Sequence, residues 1–78
     1  MPIRTMKKDV LVKFGQKVRE ERLKRKLSQE EFADIAGVHR TYIGMIERAE
    51  KNITLENIQK ISKAFGLKIS ELLKNIEI

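Results

Sequence analysis

Seventy-eight residues with one proline, four glycines and no cysteine leave room for a single small hydrophobic core and exclude a chain of two catalytic domains. Hydrophobic residues at 41% and charged residues at 36% mark a foldable chain and exclude a disordered tail. Seventeen Lys and Arg against eleven Asp and Glu give a net charge of +6, which favours polyanionic partners, nucleic acid first and an acidic membrane surface second. Without cysteine there is neither a disulfide framework nor thiolate chemistry, as suits a reducing compartment. No apolar run approaches the ~18 residues that span a bilayer, so a cytoplasmic protein without membrane contact is expected.

No segment alternates at period two, whereas apolar residues recur at helical spacing, so the spacing predicts an all-α domain of five helices over residues 1–78 with a short tail at 1–7. The first helix is expected from about Asp9 to Arg25, with Leu11, Phe14 and Val18 on one stripe, a basic outer face, and Gly15 as a weak point. Ser28, followed three residues later by Glu31, forms a capping-box pattern and starts a second helix at Gln29–Ala36. Gly37 ends it with a sharp turn. A third helix at about His39–Glu47 turns Ile43 and Ile46 inward, with Arg40, Thr41, Gly44 and Met45 on its other faces. After a polar loop at 48–52, Thr54 caps a fourth helix whose stripe is Leu55, Ile58, Ile61, Ala64 and Phe65, closed by Gly66. Ser70 is the expected cap of a short fifth helix that contains Leu72 and Leu73.

Residues 29–48 carry the functional signal. Two short helices that cross at a steep angle need a small residue at the crossing, a tight turn and inward anchors on both sides. Ala33, Gly37 and the set Phe32, Ala36, Val38, Ile43 and Ile46 supply them, which makes a helix-turn-helix. The stretch LSQEEFADIAGVHRTYIGMIERAEKNITLENIQKISKAFGLKISELL resembles the lambda-repressor-like, or Cro/cI (XRE), family of DNA-binding domains over Phe14 to Leu73. Within that family, residues 37–43 and Ile46-Glu47-Arg48 are most similar to the controller proteins of restriction-modification systems. The sequence departs from the family at Lys26 and Ala49, where relatives often carry Gly.

The resemblance implies a dimeric repressor or activator that reads a palindromic, inverted-repeat operator in double-stranded DNA with its third helix. Arg40 lies at the N-terminal end of that helix and is the side chain there able to contact guanine bidentately; Thr41 and Met45 are the further base-contacting candidates. The resemblance gives Gln29 a phosphate-positioning role at the start of the second helix, shared by Ser28. Tyr42, Arg48, Lys51 and Asn52 are placed to hold phosphates, which fixes register without reading sequence, although Tyr42 equally suits a core aromatic with a wet hydroxyl. Arg22 and Glu47 resemble a family pair tying the first helix to the end of the third, a structural ion pair.

The C-terminal set Leu67, Ile69, Leu72, Leu73, Ile76 and Ile78 exceeds what a short last helix needs, so Ile69, Leu73 and Ile76 are expected at a homodimer interface. A dimer places its recognition helices ~34 Å apart, one duplex turn. RNA polymerase is a further partner expected of an activator. No Gly-rich phosphate loop or nucleophile motif is present, and the single histidine, His39, has too few neighbouring ligands for a metal, so neither an enzyme nor a cofactor is expected. The rival reading from another class is an antitoxin-type interaction module with secondary DNA binding; such modules often add a tail that wraps the partner, and the short stretch after the fifth helix favours a stand-alone regulator.

Overall fold

The computed structural model describes the backbone of residues 2–76 and the side chains of residues 9–76. Its elements in order are α1 (Pro2–Lys24), α2 (Gln29–Ala36), α3 (Arg40–Glu47), α4 (Leu55–Phe65) and α5 (Ile69–Leu72), with no strand among the described residues. The all-α, five-helix order read from the periodicity is the observed one.

Local signals account for most boundaries. The Ser28 hydroxyl accepts from the Glu31 amide at 3.0 Å, while the Glu31 carboxylate accepts from the Ser28 amide at 2.8 Å, a complete capping box that opens α2. Gly37 closes α2 at φ 75°, where a Cβ would be strained, and the Gly37 and Val38 amides both return to the Ala33 carbonyl. Thr54 Oγ1 accepts from the Asn57 amide at 3.1 Å and opens α4.

The core sits where α1 crosses α3 and α4 packs on α2. Phe14 and Val18 from α1, Phe32, Ala33 and Ala36 from α2, Ile43 and Ile46 from α3, Ile61 and Phe65 from α4, and Leu72 from α5 are all buried. Phe32 and Phe65 stack with centroids 4.3 Å apart, which joins α2 to α4. Gly15 lies where α1 meets the end of α3, and a Cβ there would run into the carbonyl oxygens of Ile46 and Glu47. The apparent weak point of the first helix is thus a place where two helix backbones approach closely.

Several boundaries and faces differ from those expected. The helix α1 starts at Pro2 rather than Asp9: residues 3–8 contain no breaker, and proline is tolerated in a first turn. His39 precedes α3 as its N-cap, its Nδ1 accepting from the Thr41 amide at 3.1 Å. The helix α5 starts at Ile69 rather than after Ser70, because the Glu71 carboxylate accepts from the Lys68 amide at 2.8 Å and fixes the start two residues earlier. Leu55 is 71% exposed, since the packed stripe of α4 runs through Ile58, Ile61 and Phe65 and Leu55 stands one turn ahead of it. Gly44 is buried rather than on an open face, covered by the side chains of Arg48 and Gln29. Lys26 and Ala49 adopt φ of 57° and 59°, so the chain keeps at these two loop positions the left-handed backbone that glycine would favour.

Candidate nucleic-acid interface

The interface is built on a buried joint. Arg22 near the end of α1 donates from Nε to Glu47 Oε2 at 2.7 Å and from Nη2 to Glu47 Oε1 at 3.0 Å, a fork that fixes the last residue of α3. Its remaining Nη1 donates to the Leu27 carbonyl at 2.7 Å, in the loop that leads to α2. Gln29 Nε2 donates to Glu47 Oε1 at 3.0 Å, so α1, α2 and α3 converge on one carboxylate. Both charged side chains are nearly inaccessible, and the hydrogen bonds that Arg22 donates to Glu47 raise its guanidinium above its ordinary range against the opposing effect of burial. A charge pair this dry holds only with all its donors and acceptors occupied.

From that joint, α3 projects a largely exposed polar face. Arg40, Gly44 and Arg48 follow one another at intervals of four on a single stripe, so the two arginines stand about 12 Å apart along the axis, close to the width of a major groove. Arg40, at the N-terminal end where recognition helices meet base edges, is exposed, as is Thr41 beside it; Met45 is half-buried. Gly44 between the arginines has no side chain, and the Arg48 guanidinium and the Gln29 side chain close over it.

The flanking residues fall into two groups. Ser28, Arg48, Lys51 and Asn52 are exposed, and Arg48 Nε lies 3.1 Å from Glu50 Oε2, a solvated pair that phosphate can displace. Gln29 and Tyr42 are half-buried and already engaged. With its amide nitrogen on Glu47, Gln29 offers an anion its backbone N–H at the first turn of α2, where such groups have no intrahelical partner. The Tyr42 hydroxyl accepts from Asn57 Nδ2 at 2.9 Å, which anchors the ring to α4 and turns the hydroxyl proton away from that contact, free to donate outward. Asn57 and Glu30 are additional members of the site: Glu30 Oε1 lies 3.3 Å from Arg40 Nη1 across the turn. Sequence spacing does not reveal either contact, because both join residues on different helices whose relative placement only the folded chain defines.

The C-terminal apolar set is divided by the fold. Leu67, Leu73 and Ile76 pack against the core, and Leu73 and Ile76 line a groove with Val10, Leu11, Phe14, Ile53 and Ile58. Ile69 instead meets Leu55, Glu56 and Gln59 on the outer side of α4 and α5; Ile78 lies outside the described residues. Among the described residues no cluster of His, Asp or Glu could hold a metal ion, and no helix is long and apolar enough to cross a membrane.

A short exposed helix, locked by a buried ion pair behind a capped partner helix and a left-handed turn, defines a DNA-binding helix-turn-helix domain. The helix-turn-helix family model HTH_3 matches residues 18–72, and the chain belongs to that family. The control protein C.BamHI of Bacillus amyloliquefaciens is 49% identical over 69 residues, spanning 87% of this chain and 85% of that protein. The control protein C.MunI of a Mycoplasma species is 41% identical over 70 residues, spanning 88% and 95%. The crystal structure of the restriction-modification controller protein C.AhdI from Aeromonas hydrophila matches with a TM-score of 0.76 at 45% identity, over 80% of this chain and 90% of that one. The relatives are thus DNA-binding regulators, not a class of enzyme.

Proposed function

We propose that the chain is a controller-type transcriptional regulator that binds an inverted-repeat operator as a homodimer. The observation that carries this reading is the exposed Arg40 at the N-terminal end of an α3 whose other end is clamped by Arg22. A rigid helix with one end presented is what reading a groove requires. Arg40 is assigned to a guanine, with Thr41 and Met45 as neighbouring base contacts. Phosphates are assigned to the Gln29 amide at the start of α2, to the Ser28 hydroxyl, to the Tyr42 hydroxyl, and to Arg48, Lys51 and Asn52. Pairing of two copies through the C-terminal segment that carries Ile69, Leu73 and Ile76 sets the half-site spacing, and regulation follows from where the operator lies relative to a promoter, with contact to RNA polymerase in the activating case. Such a protein works in the cytoplasm, beside the DNA it regulates.

Selection of bound duplexes from a random library at near-physiological salt tests the reading. An enriched inverted repeat with half-sites centred ~10 bp apart, or a multiple, is the expected result. Retention that disappears at higher salt without any enriched sequence overturns it, because only the non-specific electrostatic component is then present.

A further inference from the structure

We propose that Glu30 is a specificity-determining positioning residue, which holds the Arg40 guanidinium toward the groove and away from phosphate; the inference rests on the DNA-reading role given to Arg40. The two residues lie on opposite sides of the helix-turn-helix corner, Glu30 as the second residue of α2 and Arg40 as the first of α3. Their side chains are 65% and 63% exposed and meet at 3.3 Å between Glu30 Oε1 and Arg40 Nη1. Glu30, Asp34, Val38, His39 and Arg40 together line one open polar notch, so Arg40 sits among acidic neighbours on the face that must approach a polyanion.

That arrangement is costly for mere affinity. A carboxylate next to the DNA surface repels phosphate, and an exposed ion pair returns little stability to the fold. It makes sense as discrimination. The guanidinium has five N–H donors, of which a bidentate guanine contact uses two, so Arg40 can keep Glu30 at Nη1 while it reads a base. A swing to a nearby phosphate breaks the pair and brings Arg40 no compensating specificity. Glu30 therefore favours the base-reading orientation and penalises the non-specific one, and its removal should lower the ratio between them rather than affinity in general.

The test uses the full chain and the operator selected with it, that operator with the Arg40 base pair exchanged, and a random duplex. Glu30→Gln keeps the side-chain shape at an exposed position and leaves folding intact, which a melting curve checks. In E30Q, discrimination between operator and exchanged site should fall about three- to fivefold, the size of an exposed pair, while random-duplex binding tightens. In an Arg40→Ala background the same substitution should leave discrimination unchanged and only tighten all binding uniformly. Discrimination in E30Q equal to wild type, or an equal drop with and without Arg40, overturns the positioning role. If R40A itself costs no discrimination, the base-reading role of Arg40 fails, and the positioning role with it; a full loss in R40A beside an unaltered E30Q sinks the positioning role alone.

Discussion

Glu47, the last residue of α3, accepts two hydrogen bonds from Arg22 near the end of α1, at 2.7 Å and 3.0 Å. Because both side chains are buried, removing one strands the other. Arg22→Ala or Glu47→Ala should each lower stability by about 3–5 kcal/mol. Exchanging both for apolar residues, Arg22→Met with Glu47→Leu, should cost less than either single change, since no unpaired charge remains and only Gln29 and the Leu27 carbonyl lose a partner. Urea unfolding of the three variants measures this, and a double variant less stable than both singles would show that the pair contributes net attraction beyond its own desolvation.

Gly15 gives a second prediction, in which two rules oppose each other. Helix propensity alone says that Gly15→Ala should gain about 1 kcal/mol. The carbonyl oxygens of Ile46 and Glu47 occupy the place a methyl group would take, and these are backbone atoms that cannot rotate aside. Overpacking therefore wins, and the variant should lose about 1–3 kcal/mol in chemical denaturation, with weaker operator binding because α3 is pushed off its seat. A stabilised Gly15→Ala would show that α1 and α3 lie further apart than described.

The same residue marks where sequence reasoning stops. Elements with local causes were legible: the Ser28 box, the Gly37 turn, the Thr54 cap and the stripe through Phe32, Ile43, Ile46 and Ile61 are written in neighbouring residues. The family resemblance, carried by the Gly37 to Ile43 stretch, was legible too. What remained hidden depends on how helices meet. Gly15 reads as a defect until α3 is laid across it, Leu55 reads as core until its turn is seen to overhang, and no spacing marks Glu21 as buried. The Glu30 and Asn57 contacts to α3 belong to the same class, since each needs the angle between two helices.

Glu21 makes stability depend on acid. Arg25 Nη1 donates to its carboxylate at 2.8 Å, with Lys24 and Lys17 at 3.2 and 3.3 Å, and Arg25 also lies 4.7 Å above the Phe65 ring and donates to the Phe65 carbonyl. The Arg25 hydrogen bond, helped by the lysines and opposed by burial, lowers the Glu21 carboxyl from 4.5 to about 2. The unfolded chain then takes up this proton first as pH falls. The contribution is complete above about pH 4.5 and is lost progressively toward about pH 2. Glu21→Gln should be clearly less stable than wild type at pH 7, and the difference should shrink through that window. A gap between the two that stays constant from pH 7 to pH 2 would remove Glu21 as its source.

Lys51, exposed in the loop after α3, tests the phosphate side of the interface. A contact to phosphate carries no sequence information, so Lys51→Ala should weaken binding to operator and random duplex by similar factors and reduce the slope of log affinity against log salt by about one. Titrations at several salt concentrations read both quantities. An unaltered slope takes Lys51 off the DNA surface.

The last prediction concerns how two copies meet. Leu73 and Ile76 are partly buried against the core and line a groove with Val10, Phe14 and Ile58, whereas Leu55 and Ile69 stand together on the outer side of α4 and α5, Leu55 largely exposed. If dimerisation uses the C-terminal helices, it should therefore run through Leu55 and Ile69. Leu55→Glu puts a charge on an already exposed position, so the fold should persist with a nearly unchanged melting temperature. Sedimentation should show the variant as a monomer at concentrations where the wild type is dimeric, and operator affinity should fall while binding to an isolated half-site stays the same. Leu73→Ala should do the reverse, losing stability from a packed position while the surviving folded protein still pairs. A dimeric Leu55→Glu that binds its operator normally would move the interface to another face of the domain.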